Sequence, residues 1–238
     1  MIEPIVHENE PLTLVGGSDL SQIVLNICLT HAPRVVAADG GADAVLARGL
    51  TPLAVIGDMD SLGEAARAAF ADRLHPVAEQ DTTDFEKCLD RISAPMILAA
   101  GFLVEPPAQE ISAPMILAAG FLGGRLDHQL AAMNAVFRRR AGHVVLVGAD
   151  DVLMLLTGPC EMDLEAGMRF ALLPFSPVRV ATRGLRWDLH DQILAPDGLI
   201  SSSNAAADGP VAIRPEGPVF LTVPLAGLAA VTAAVRGR

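Results

Sequence analysis

Residues 52–62 read PLAVIGDMDSL: an apolar run, Leu53 to Ile56, stops at Gly57 and is followed at once by Asp58 and Asp60. A short continuous apolar run bounded by a turn residue is the pattern of a strand buried on both faces. The glycine lets the chain turn, and two acids two residues apart on an extended loop can face one cation. The same grammar recurs on either side. PLTLVGGSDL (11–20) ends its apolar run at Gly16-Gly17, and RVVAADGGAD (34–43) runs into Asp39-Gly40-Gly41, with a helix starting over Ala44, Val45 and Leu46. In DFEKCLDRI (84–92), Phe85, Cys88, Leu89 and Ile92 stand at i, i+3, i+4 and i+7, the spacing of an amphipathic helix. MILAAGFL is a further buried strand, DHQLAAMNAVFRRRAG (127–142) a helix stopped at Gly142, and HVVLVGAD (143–150) another strand. Strand–turn–helix repetition of this kind predicts an α/β N-terminal domain on a mainly parallel sheet covered on both faces.

Beyond about Asp151 the texture changes. VLMLLTG, MRFALLPF, VRVATRGLRW, GLISSSN, VAIRP and PVFLTVPL are short strand-like pieces punctuated by Gly, Pro and Asp. They predict an all-β sandwich as a C-terminal domain, with the boundary placed between residues 152 and 153. The divided chain then reads as 1–152 and 153–238.

Composition excludes several classes. With 238 residues and 51% apolar content, the chain is long and apolar enough to bury a sizeable core. No apolar run reaches the roughly 18 residues of a membrane helix, and Met1-Ile2-Glu3-Pro4 lacks the basic start of a secretory leader, so no membrane partner is expected. The formal charge of −11, with Arg138-Arg139-Arg140 as the one basic cluster, argues against nucleic acid, and the triplet reads as cations on the last turn of a helix. Cys28, Cys88 and Cys160 are widely spaced, odd in number and set among apolar residues. They predict buried thiols and a cytoplasmic location.

The chemistry sits at strand ends. Asp39, Asp58 with Asp60, Asp81 with Asp84, and Asp127 each follow a predicted strand or precede the next helix. Ligand sites in open α/β sheets lie beyond the carboxyl ends of the strands. Taken singly, each acid reads as a helix cap, and Thr83-x-x-Glu86 fits a capping box. Four strand ends sharing one pattern read instead as a crevice of hard oxygen ligands. Gly16, Gly17, Gly40, Gly41 and Gly124 there offer backbone N–H groups to an anion. An acidic protein repels a polyphosphate unless a divalent ion such as Mg²⁺ intervenes. No phosphate-binding G-x-x-x-x-G-K-[ST], dinucleotide-binding G-x-G-x-x-G after the first strand or G-x-S-x-G elbow is present.

Together the motifs resemble the thiamine pyrophosphokinase family: Asp39-Gly40-Gly41-Ala42, Gly57-Asp58-Met59-Asp60-Ser61, Asp81-Thr82-Thr83-Asp84 with Lys87, and Gly123-Gly124-Arg125-Leu126-Asp127-His128. Gly184-Leu185-Arg186-Trp187 and Ser201-Ser202-Ser203-Asn204 extend the likeness to the end of the chain. The resemblance implies transfer of a diphosphate from ATP to the hydroxyethyl oxygen of thiamine, releasing AMP. It implies Asp58 and Asp60 as Mg²⁺ ligands, Asp84 and Asp127 beside the reacting phosphates, and Gln80 and Asp81 lining the same site. Lys87 and Arg125 are expected on phosphate oxygens, with His128 in the same loop. The proton acceptor among the acids stays open. The resemblance further implies a homodimer in which thiamine sits between one subunit's nucleotide domain and its partner's β domain, stacked on Trp187 and hydrogen-bonded by Ser201, Ser203 and Asn204. A related pyrophosphokinase acting on a pterin alcohol fits the acids equally, but Trp187 and the Ser-Ser-Ser-Asn run favour thiamine. A non-catalytic thiamine or nucleotide binder is the reading from another class.

One feature departs from the family pattern. Ile92–Leu103 is repeated letter for letter as Ile111–Leu122, with VEPPAQE between the copies. The second copy runs directly into Gly123–Asp127, so it is expected to fill the strand position. The first copy is then expected in a longer crossover, where closure entropy grows slowly with length.

Overall fold

The computed structural model describes residues 2–93 and 115–237. Its first part comprises β1 (Val6–His7), β2 (Leu12–Val15), α1 (Gln22–His31), β3 (Arg34–Ala38), α2 (Gly41–Leu46), β4 (Val55–Gly57), α3 (Glu64–Ala69), β5 (Leu74–Pro76), α4 (Asp84–Leu89), β6 (Ile92–Ser93), β7 (Ile116–Ala119), α5 (Leu126–Arg138) and β8 (Val144–Val147). The parallel strands run in the order β8-β7-β2-β3-β4-β5. From β2 the chain builds outward to β5, then returns to add β7 and β8 on the other side. The order therefore reverses between β2 and β7, which puts a crevice beyond their carboxyl ends. There Gly16 N–H donates to Ala119 O (2.8 Å) and Ser18 N–H to Gly120 O (3.1 Å).

The central strands β2, β3, β4, β7 and β8 are mostly apolar because both faces are covered. Leu12, Leu14, Ile116 and Ala118 pack with Phe85 and Cys88 of α4 and Ala132 and Val136 of α5. Leu117 and Ala119, one residue out of phase, pack with Val24 and Cys28 of α1. Val15, Val35 and Ala37 meet Ala42 and Val45 of α2.

The second part holds β9 (Asp151–Leu156), β10 (Cys160–Met162), β11 (Arg169–Leu173), β12 (Val178–Arg183), β13 (Gln192–Leu194), β14 (Ser201–Ala205), β15 (Val211–Pro215), β16 (Val219–Pro224) and α6 (Leu228–Arg236). A sheet ordered β10-β15-β12-β13 shares a core with the antiparallel strands β9, β11 and β16, including Met154, Phe170, Val180, Ile213 and Leu221. The sandwich is not a separate sheet from the parallel one. β9 folds back antiparallel on β8, pairing Val147 with Val152, so ten strands form one mixed sheet through the residue 152/153 boundary. The tight turn over Gly148–Asp150, closed by Gly148 N–H to Asp151 O (2.8 Å), leaves no linker at which the sheet could break. β10, β13 and α6 carried no distinct sequence signal.

The arginine triplet closes α5 as expected, though earlier than Gly142. Arg140 itself takes the left-handed turn (φ 53°) and covers the Phe137 ring at 4.9 Å. Arg139 makes two 2.8 Å bonds to Asp90 and one of 2.9 Å to Glu86, tying α5 to α4. Thr83 and Glu86 form the capping box of α4.

The second copy of the repeat supplies β7, between β2 and β8. From the first copy, Ile92 and Ser93 pair with Val6 and His7. The expected longer crossover falls on residues 94–114, outside the described residues. Deleting Ile92–Glu110 brings the identical Ile111-Ser112 directly after Arg91, so every described pairing can re-form. We expect the deleted chain to melt at the same temperature or higher in a thermal scan; failure to fold would show the removed copy to be essential.

Candidate active site

Three adjacent strand ends bring the acids together. Asp39 directly follows β3 in a left-handed conformation (φ 40°), its N–H donating to Ile56 O on β4 (3.0 Å). That pairing sets its carboxyl against the Asp58–Asp60 loop, where Met59 is also left-handed (φ 68°). One carboxylate oxygen from each of Asp39, Asp58 and Asp60 lies within 4.8 Å of the others. Asp39 is 2% exposed; its Oδ2 accepts from Ser61 N–H (3.2 Å), while its buried Oδ1 has no hydrogen-bond partner. A buried carboxylate oxygen without a donor costs free energy unless a cation faces it. Three hard oxygens around such an atom suit a divalent ion like Mg²⁺. Asp39 is expected from the sequence among the acids of the crevice but not among the Mg²⁺ ligands Asp58 and Asp60; its place in this trio depends on β3–β4 adjacency.

Asp58 and Asp84 share a cation from within the protein. Lys87 Nζ donates to Asp58 Oδ2 (2.9 Å) and Asp84 Oδ1 (3.0 Å), and its side chain is 1% exposed. Its hydrogen bond is the main cause holding the Asp58 carboxyl down to about 2, with Asp60 N–H and Gln80 Nε2 also donating to it. Burial pushes Asp39 up to about 6 against the Ser61 N–H, and the charges of Asp84 and Asp58 add to the rise. Lys87 therefore stands as an internal counter-ion rather than an exposed phosphate hook.

The other expected residues divide clearly. Gln80 joins the site through Asp58 (3.2 Å). Asp81 donates its N–H to Glu79 (2.9 Å), as does Thr82, so Glu79 organises this loop, a role read only from the structure. Asp127 lies in the exposed first turn of α5 and pairs with Arg125 through Nη2 at 2.5 Å; no described hydrogen bond joins it to the other acids. Gly123 and Gly124 precede it with φ of 95° and 70°, and His128 follows it in α5. Gly17 lies close to Gly40 and Gly41, where a Cβ on it would stand 3.6 Å from Gly41 N. Gly41 has a steric role as well, since a Cβ there would lie 2.1 Å from Val15 O.

In the sandwich, Trp187 is 57% exposed, so it is no core residue, and Arg186 covers its ring at 4.8 Å. Ser201 is buried on β14, whereas Ser203 is exposed and left-handed (φ 57°). Asn204 is buried and bonded to the Trp187 main chain rather than open to a ligand.

Family models match both parts: "Thiamin pyrophosphokinase, catalytic domain" over residues 25–146 and "Thiamin pyrophosphokinase, vitamin B1 binding domain" over residues 160–219. The chain belongs to the thiamin pyrophosphokinase family. Among curated relatives, thiamine pyrophosphokinase 1 of Oryza sativa subsp. japonica is 31% identical over 188 residues, covering 73% of this chain and 66% of that protein. Thiamine pyrophosphokinase 2 of Arabidopsis thaliana is 28% identical over 262 residues, 93% of each chain. In fold, the chain is similar to thiamin pyrophosphokinase from Candida albicans (TM-score 0.72, 18% identity, 94% of this chain and 92% of that one). The thiamin pyrophosphokinase from Geobacillus thermodenitrificans gives TM-score 0.71 at 22% identity, over 90% of this chain and 96% of that one. Asp39, Asp58, Asp60 and Asp84 fall within the stretch matched by the first model, and Trp187 and Asn204 within that matched by the second.

Proposed function

We propose that this chain is an enzyme that moves a diphosphate from ATP to the hydroxyethyl oxygen of thiamine, releasing AMP. The observation that carries the proposal is the trio Asp39, Asp58 and Asp60 just beyond the carboxyl ends of the adjacent strands β3 and β4, in a chain whose second part matches a vitamin B1 binding domain. Asp39, Asp58 and Asp60 are the residues that would hold Mg²⁺. When bound, the ion would supply charge neutralisation to the polyphosphate. The protein's own part is positional, as in other phosphoryl transfers. Glycine-rich turns at the ends of β2 and β3 offer N–H groups, Arg125 and Asp127 follow β7, the strand paired with β2, and the inward-facing Lys87 bonds Asp58 and Asp84. Trp187 offers an aromatic face to the thiazolium cation, a contact of about 0.5–2 kcal/mol.

A homodimer is supported by exposed apolar side chains on both parts: Leu126 and Leu130 of α5, and Trp187, Ile193, Leu199 and Ile200 in the sandwich. In solution it should elute at twice the chain mass by light scattering. A cytoplasmic setting is supported by three free, buried thiols. No helix among the described residues is long and apolar enough to cross a membrane.

The deciding assay mixes protein, ATP, Mg²⁺ and thiamine and separates AMP from ADP. AMP appearing one-for-one with thiamine diphosphate supports the proposal; folded protein releasing no thiamine-dependent AMP overturns it.

A pH effect follows in metal-free protein. The Asp39 carboxyl titrates near 6 in the folded chain against an ordinary 3.8, so the folded state holds its proton longer than the unfolded one. Its contribution to stability is therefore lost as pH rises from about 4 through about 6. We expect Asp39→Asn to flatten this part of a melting-temperature profile measured in chelator; an unchanged slope would refute the assignment.

A further inference from the structure

The segment carrying Trp187 is held by an edge ladder that runs out one residue too soon. Gly184, at φ 88°, brings the chain against Pro210, where a Cβ would lie 2.3 Å from the Pro210 carbonyl oxygen. From there the main chain pairs with the end of β14: Ala207 N–H donates to Gly184 O (2.8 Å), Leu185 bridges Ala206, and Arg186 N–H donates to Ala205 O (2.8 Å). The next rung belongs to Trp187. At that point β14 is distorted by the left-handed Ser203, and its pairing with β11 shifts register between Phe170 and Leu172. The Asn204 side chain makes the rung instead. Its Oδ1 accepts from Trp187 N–H (3.2 Å) and from Ala205 N–H (2.9 Å), and its Nδ2 donates to Trp187 O (2.7 Å). Two N–H donors at Oδ1 and a carbonyl at Nδ2 fix which way the amide points. Asn204 is 5% exposed, so these bonds face little competition from water.

The consequence is a presented ring. The Trp187 backbone is locked on both sides while its indole stands in solvent, and the Arg186 guanidinium covers one face at 4.8 Å. A single face stays open for a flat or cationic ligand. We infer that Asn204 is a positioning residue for thiamine, acting through the main chain of Trp187 rather than by touching the ligand. This rests on the reading that thiamine stacks on Trp187. Ser203, a left-handed non-glycine residue inside β14, marks the distortion at which the clamp takes over from the main chain.

Trp187 is the sole tryptophan, so its fluorescence reports this ring alone. Asn204→Asp keeps the shape and the acceptor but loses the donor and sets a carboxylate against Trp187 O. We expect it to raise KM for thiamine by about tenfold or more, leave KM for ATP within about twofold, and lower Trp187 anisotropy. Asn204→Ala, smaller than the residue it replaces, carries the same expectation should the aspartate variant not fold. If native Trp187 emission does not respond to saturating thiamine, the stacking reading fails and the inference with it. If native emission responds but the variants keep KM for thiamine and anisotropy unchanged, the stacking reading stands and the clamp is overturned. Equal loss in both substrates' KM also overturns it, by assigning Asn204 to general stability.

Discussion

Asp58→Asn is expected to cut thiamine-dependent AMP release by at least about 10²–10³-fold while leaving the fold standing. The side chain is anionic at every working pH, since the Lys87 hydrogen bond holds its carboxyl to about 2. Both oxygens are committed: Oδ2 to Lys87 (2.9 Å) and Gln80 (3.2 Å), Oδ1 to Asp60 N–H (3.3 Å). An amide matches this shape but removes one negative charge from the trio that would face the ion. The fold survives because Lys87 keeps Asp84 at 3.0 Å and is not left as an unpaired buried charge. Asp39 also loses a negative neighbour that raises its carboxyl pKa. Asp60→Asn is expected to show a similar loss, although Asp60 is exposed and bonded only to Ser61 Oγ (2.9 Å) on its free side. AMP release titrated with Mg²⁺ checks both. Activity recovered at high Mg²⁺ would mark the side chain as an ion ligand. Full activity in either variant at low Mg²⁺ would remove that residue from the ion site, and a collapsed melting temperature would assign the loss to folding.

What the sequence made legible was local. Gly57-Asp58-Met59-Asp60 carries its geometry within one turn, so the spacing alone pointed to a shared cation. Thr83 and Glu86 likewise announced the start of α4. The alternation of strands and helices pointed to the parallel sheet, with short apolar runs such as VVAA and ILAA ending at glycine or Asp-Gly turns as strands covered on two sides do. What stayed hidden depends on neighbours far along the chain. Asp39 joins Asp58 only because β3 and β4 are adjacent. Lys87 was expected to reach for phosphate, yet its helix face turns it inward between two acids. Asn204 was read as a ligand contact, and the break in β14 at Ser203 turned it toward Trp187 instead. Likewise the change of texture near Asp151 marks a change of strand direction, not an end to the sheet.

Lys87→Met tests the inward-facing reading most severely. The substitution keeps the aliphatic length and removes the one positive charge among the described residues that Asp58 and Asp84 both touch. The site would then gather Asp39, Asp58, Asp60 and Asp84 without that counter-ion. Breaking a buried ion pair from one side costs about 3–5 kcal/mol. The Asp58 and Asp84 side chains are 14% and 32% exposed, so water recovers part of that, and a loss of about 3 kcal/mol is expected in urea unfolding near pH 8. The sign of the pH dependence follows. Native Lys87 is raised above its ordinary 10.5 by hydrogen bonds and charge from the two acids, against burial, so its contribution is present throughout the neutral range. Without it the folded state prefers protonated carboxyls, and the deficit should shrink as pH falls toward 5. Added Mg²⁺ should shrink it as well, by supplying the missing positive charge. A deficit unchanged by pH and metal would assign Lys87 to packing. A variant as stable as the native chain but weak in ATP binding would return Lys87 to the phosphate.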